Sequence, residues 1–196
     1  TTPAINLRAL PFFAAKAIFG IVQEIDAGAF IFELARSETG YTAQRPSEYA
    51  ANILGAAIAA GYRGPVFLQG DHYQVSAKRF AEDPQSELNV VRELTAEAME
   101  AGFYNIDVDA STLVDLSKEM VPDQQAQNIE ITAMFTDFIR KREPEDVTVS
   151  IGGEIGEVGG HNSTEEELRA FLDGYNAALE RDYPGTVGLS KISIQT

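Results

Sequence analysis

Five short β-type runs alternate with longer helical patterns along this chain, and that alternation constrains the fold more than any other feature. The runs are Ala29 to Leu34, Pro65 to Gly70, Tyr104 to Val108, Val147 to Gly153 and Leu189 to Gln195. Strands that alternate with helices pair in parallel and are joined by right-handed crossovers. Most of these runs read as apolar on both faces. That suits strands covered by helices on one side and by a packed barrel interior or a second helix layer on the other. With 196 residues, 44% of them hydrophobic, the chain is long enough for one α/β domain with a sizeable core.

The helical segments are marked by apolar stripes. Ile131, Met134, Phe135, Phe138 and Ile139 fall on one face of a helix, and Leu168, Phe171, Leu172, Tyr175 and Leu179 form a second stripe. Ser163 and Glu166 have the spacing of a capping box, which starts that second helix right after Asn162. Ile18, Ile21, Val22 and Ile25 predict an earlier helix stopped by Gly28; Pro46 opens another that ends near Gly61. A further helix runs from Ser86 to Ala101, with Gly102 as its stop. The strand ends lie farther apart than minimal strand–helix units require, so the extra length is expected in the loops that follow the strands, most clearly at Tyr73 to Gln85. Loops on that face build the sites of barrel enzymes.

Net charge narrows the function classes. At −15 the surface repels phosphate backbones and anionic membranes, so neither nucleic acid nor membrane is an expected partner. The absence of cysteine excludes disulfides, thiolate metal sites and a cysteine nucleophile, and it agrees with a cytoplasmic setting. No apolar run approaches the roughly 18 residues of a membrane span.

Three β-type runs end in carboxylates. Asp71-His72 follows Pro65-Val66-Phe67-Leu68; Asp107 and Asp109 close a second run, and Glu154 closes a third inside the glycine-rich stretch Gly152 to Gly160. At a strand end an imidazole and a carboxylate can line one pocket, with His72 as a zinc ligand and Asp71 as a proton shuttle. Asp71 capping a loop beside a structural His72 is the plainer alternative. Asp109 invites a metal role, because two neighbouring carboxylates repel without a cation between them, or else a helix-capping role that Ser111 could share. The glycine-rich stretch lacks dinucleotide-fingerprint spacing; it reads as a loop carrying Glu157 or His161 over a ligand, or as a flexible connection. Glu33 and Ser37 could bind polar groups of a substrate or sit in a hydrated loop. No nucleophile elbow or P-loop is present, and Lys191 is a minor candidate for imine chemistry.

These segments together resemble the metal-dependent class II aldolases, a family that includes the fructose- and tagatose-bisphosphate enzymes. Pro65 to Asp71-His72, Ala101-Gly102-Phe103 to Asp109-Ala110-Ser111, and Glu154-Ile155-Gly156 to Gly159-Gly160 match three family motifs in order. Glu33-Leu34-Ala35 to Gly40-Tyr41-Thr42 is similar to the tagatose-type branch. The resemblance implies a (β/α) TIM-type barrel and a zinc-dependent aldol cleavage of a phosphorylated ketose. Asp71 would be the acid/base, His72 a zinc ligand, and Asp109 and Glu154 carboxylates at an alternative metal position.

The chain also departs from the family. His161-Asn162 stands where the family has acidic residues after the paired glycines, so His161 would take over that loop's proton transfer or bind metal. The family's Gly-Thr-x-His and His-Gly-Gly-Ser-Gly motifs are absent, and no strand is evident before the first helix. The expectation is therefore strands two to six of an eight-stranded barrel, a fragment completed by further chain or by a homo-oligomeric partner. A noncatalytic subunit partnering a complete aldolase is the alternative.

Overall fold

The computed structural model describes residues 2–156, 160 and 162–195. The elements run β1 (Ala4–Asn6), α1 (Pro11–Glu24), β2 (Ile31–Ala35), α2 (Arg36–Tyr41), α3 (Pro46–Ala59), β3 (Phe67–Gln74), α4 (Ala77–Glu82), α5 (Pro84–Glu100), β4 (Asn105–Asp109), a 3-10 turn at Ser111–Leu113, α6 (Val121–Arg140), β5 (Ser150–Glu154), α7 (Glu165–Asp182) and β6 (Lys191–Ser193). All six strands are parallel and stand in chain order in one sheet. Helices surround this open half-barrel, an α/β fold. No helix among the described residues is long and apolar enough to cross a membrane.

All five expected strands are present with shifted ends, and a sixth precedes them. β1 pairs Ala4 with Ile31 and Asn6 with Glu33. Three residues after a proline offer no periodicity to read, so its stability comes from the ladder to β2 rather than from a local pattern.

The strands are not apolar on both faces. Phe32, Leu34, Leu68, Ile106, Val108 and Ile151 are buried in the main core with Phe19, Tyr49, Val91, Phe103 and Phe135 from the helical layer and its loops. Each such large side chain contributes about 1.5–3 kcal/mol by leaving water. The alternate positions carry Glu33, Gln69, Asp71, Asp107, Asp109, Glu154 and Lys191. Period-2 alternation therefore sets a greasy outer face against a polar inner one. A second core joins α6 and α7 through Ile129, Ala133, Phe171, Tyr175 and Leu179.

Two helix boundaries and one expected loop differ from expectation. In α1, Ala15 and Phe19 are the buried positions and Ile18 and Val22 pack beside them, while Ile21 and Ile25 are exposed. The helix stops at Glu24, before Gly28, and Asp26 turns the chain at φ 50°. α7 is capped one residue late: Thr164 Oγ1 accepts from the Glu167 N–H and the Glu167 carboxylate accepts from the Thr164 N–H. Ser163-x-x-Glu166 has the same spacing, but the Ser163 backbone and hydroxyl bind Gln195 instead. The Tyr73–Gln85 stretch is not an open loop, since Tyr73 and Gln74 finish β3 and α4 fills most of the rest.

Candidate metal and acid/base site

Asp71 and His72 lie inside β3, not beyond its end. Gly70 pairs with Ile106 and Tyr73 with Val108, so one extra residue is accommodated between them as a bulge. His72 takes φ 42°, a left-handed conformation costly for a residue with a Cβ. In a regular strand these adjacent side chains would diverge. The bulge also turns Tyr73 into the core, its ring packed so closely on Gly70 that a Cβ there would clash.

The released imidazole meets carboxylates from the next two strands. His72 Nδ1 lies 3.4 Å from Asp109 Oδ2 and 3.7 Å from Glu154 Oε2. Asp109 is almost fully buried and firmly held: Oδ1 accepts from the Ser111 N–H at 3.0 Å and its hydroxyl at 2.7 Å, and Oδ2 accepts from Gln74 Nε2 at 2.7 Å. Asp109 does not cap the 3-10 turn, whose N-cap is Ala110 without a side-chain bond; its Oδ1 is held by Ser111 while Oδ2 faces Gln74 and His72. Behind the third strand end, Asn128 Nδ2 donates to the Glu154 carbonyl at 2.8 Å.

Three potential ligand atoms, one from each of these residues, lie within 4.8 Å of one another, so the His72/Asp109/Glu154 triad could hold a metal. Four-coordinate zinc with bonds of about 2.0–2.2 Å places its ligand atoms about 3.3–3.6 Å apart. The two His72 separations, 3.4 and 3.7 Å, lie within and just beyond that range, and the Ser111 and Gln74 bonds to Asp109 are the kind of outer support that orients a ligand carboxylate. The donor set, one imidazole and two carboxylates, fits a borderline divalent ion. Without a cation, the hydrogen bond to Asp109 raises the His72 pKa; burial opposes it, and the charges of Asp71, Asp109 and Glu154 add to bring it to about 9. A metal would replace that proton.

Asp71 stands beside this triad, and its carboxylate accepts no hydrogen bond from any described residue. Burial raises its pKa, and the charges of Asp107 and Glu38 add to this, while His72 and Lys191 oppose it. Glu154 is also raised, by burial and then by Asp109. Below lies a polar chain across four strands: Gln69 Nε2 donates to Glu33 Oε2 at 2.9 Å, Lys191 Nζ donates to Gln69 Oε1 at 2.5 Å, and Lys191 pairs with Asp107 at 2.8 Å. Gly152 makes room for that pair, since a Cβ there would lie 2.2 Å from Asp107 Oδ1.

The structure thus brings His72, Asp109 and Glu154 together, with Asp71 adjacent. Glu33 sits within β2 in the deeper layer, not in a loop after it. Ser37 is exposed in the first turn of α2, on the wall of a cleft of about 690 Å³ that also reaches His72, Gln74, Ser76, Arg36 and Arg79. His161 lies outside the described residues. Gln69 and Gln74 were missed; Gln69 was readable from alternation with Asp71, but Gln74 faces Asp109 only because of the bulge.

Fold and site define an α/β half-barrel with a candidate metal centre on its inner face. No protein-family model matches the chain, and no curated protein matches it. Among solved structures it is similar to a probable tagatose 6 phosphate kinase from Sinorhizobium meliloti 1021, with a TM-score of 0.70 and 15% identity. The match covers 99% of this chain and 49% of that one, so the chain spans about half the neighbour's length. At that identity the likeness shows the shared fold alone.

Proposed function

We propose that the chain carries the metal-assisted acid/base site of a class II-type aldolase acting on a phosphorylated ketose, within six strands of an eight-stranded barrel. The observation that carries this reading is the β3 bulge, which sets His72 against Asp109 and Glu154 and leaves the Asp71 carboxylate beside them without a hydrogen bond. The neighbour, a probable tagatose 6 phosphate kinase, is named for a phosphorylated ketose, the same substrate class. The short strands β1 and β6 are unpaired edges among the described residues, as expected of a barrel interrupted on both sides.

Zinc bound by His72, Asp109 and Glu154 would supply Lewis-acid polarisation of a carbonyl. Asp71, its proton affinity raised by burial, takes the proton from the hydroxyl on the carbon that cleavage leaves as an aldehyde. The electrons of the broken carbon–carbon bond pass to the carbon next to the ketone carbonyl, and a proton returned there completes the ketone product, the steps reversing in condensation. Ser111 and Gln74 hold Asp109 in place through this. Ser37 lies on the cleft wall where a substrate hydroxyl can reach it, and Glu33 acts from the deeper layer through Gln69.

Asp71→Asn tests the reading. We expect at least a 10²-fold loss of kcat for ketose-bisphosphate cleavage, with unchanged circular dichroism and one zinc retained per chain. Undiminished turnover would remove Asp71 from the mechanism. A second reading, a noncatalytic subunit of a larger aldolase, is favoured by the His72 pKa of about 9, since a protonated imidazole offsets one of the two carboxylate charges and the triad holds as an ion-pair cluster. That subunit would bind no zinc at equimolar metal and cleave nothing, with or without His72.

A further inference from the structure

The cleft between α2, α4 and α5 collects Arg36, Arg45 and Arg79, three of the chain's 15 basic residues, in a protein of net charge −15. Arg45 is neutralised locally by a two-pronged pair with Glu97. Arg36 and Arg79 are not. Both lean on one carboxylate, Glu87 of α5, whose side chain is only 1% exposed. Arg36 donates to Glu87 through both terminal nitrogens, at 2.5 and 3.2 Å, and also to the Gln74 carbonyl. Arg79 Nε lies 3.5 Å from the other side of the same carboxylate, which also accepts from the Ser76 N–H at 2.7 Å. Two guanidinium groups from different helices thus share one negative charge.

That arrangement leaves one positive charge in excess. Holding two cations together costs Coulomb energy that a second anion would relieve. Their exposures differ in a useful way: Arg36 is 11% exposed and fixed, whereas Arg79 is 63% exposed and has hydrogen-bonding capacity left over. Planar guanidinium forks match the oxygens of a phosphate. The cleft volume of about 690 Å³ accommodates a small-molecule ligand, and its lining runs from these arginines to His72. Ser37 and Ser76 hydroxyls lie along the same walls, with one exposed carboxylate, Glu93, on the α5 side.

We infer that this cleft is an anion subsite in which Arg36 and Arg79 bind a phosphate monoester group of the substrate whose reacting carbons lie at Asp71 and His72. The identity of that substrate rests on the function proposed above; the anion site itself does not. The test is a titration of the metal-free 196-residue chain with inorganic phosphate, following the arginine Nε–Hε resonances and the binding heat at low ionic strength. The parent binds phosphate, Arg79→Ala weakens it about tenfold or more, and Arg36→Lys, which keeps the charge but loses the fork, also weakens it. Raised salt lowers the affinity. Zinc binding by the Arg79→Ala chain stays at the parent level, because Arg79 touches none of the triad. Absence of phosphate binding by the parent, or equal binding by parent and both variants, overturns the subsite. Phosphate binding that depends on Arg79 in a chain without cleavage activity upholds the subsite while removing the aldolase reading, so the two failures are distinguishable.

Discussion

Glu33 is the carboxyl group outside the triad whose ionisation the fold disturbs most plainly. Burial, followed by the charges of Asp71 and Asp107, pushes its carboxyl up to about 7, with Lys191 and His72 opposing. Between its ordinary value of 4.5 and 7 the folded protein holds a proton that the unfolded chain has lost. Stability contributed at this position therefore falls as pH rises through that window and stays low above it. Glu33→Gln removes the penalty: in urea unfolding the variant should gain about 1–2 kcal/mol over the parent at pH 8, after allowance for solvent screening of a half-buried group, and nothing at pH 4.5. An equal difference at both pH values would contradict this. At this scale the sequence exposed residue identity but not aim. Asp71, His72, Asp109 and Glu154 were legible as carboxylates and an imidazole at the ends of β-type runs. What could not be read was the extra residue in β3, since a bulge is a mismatch between two strands and neither strand contains it alone. Arg36, Arg79 and Glu87 were invisible for a related reason: they come from three helices whose lateral packing no local pattern encodes.

Among the elements, α7 shows two overlapping cap signals resolved by tertiary contact. Thr164 and Glu167 form the reciprocal box, while Ser163 is engaged by the segment after β6. Thr164→Ala should lower stability by about 1 kcal/mol, and Ser163→Ala by clearly less, since it forfeits only an exposed hydrogen bond. Matched urea midpoints for the two variants would refute the assignment. Helices with wide apolar stripes, α6 and α7, were predicted well because the same residues that set the period fill the core. α1 was predicted poorly: its aliphatic residues surround the helix, so hydrophobicity did not identify the buried side, and Ile21 and Ile25 face outward. The strands were found but misjudged as two-sided, because Phe-Glu-Leu-Ala and Asn-Ile-Asp-Val-Asp alternate over too few residues to separate a polar inner face from a strand end.

For the molecule as a whole, the triad ties β3, β4 and β5 together at one point. A divalent ion there would cross-link three strands in the folded state and would have no preformed site in the unfolded one. Zinc at 100 times its dissociation constant should add about 2.7 kcal/mol, raising Tm by roughly 5–10 °C for a chain of this size. A chelator should reverse the increase and Asp109→Asn should abolish it; an unchanged melting curve would mean that the three residues hold no zinc.

The side-by-side chain order of the six strands also governs how this sheet can be made. Every ladder joins a strand to its immediate predecessor, so the partner needed by each new strand has already been synthesised. Among the six described strands, none needs a later one to pair with its predecessor. Pairings of this kind close loops of modest length and let successive strand–helix units add to a growing edge while the remainder is still being translated. The same order leaves the outer edge of β1 open and adds each new strand at the opposite edge, which travels along the chain with synthesis and limits the fresh edge offered to wrong partners.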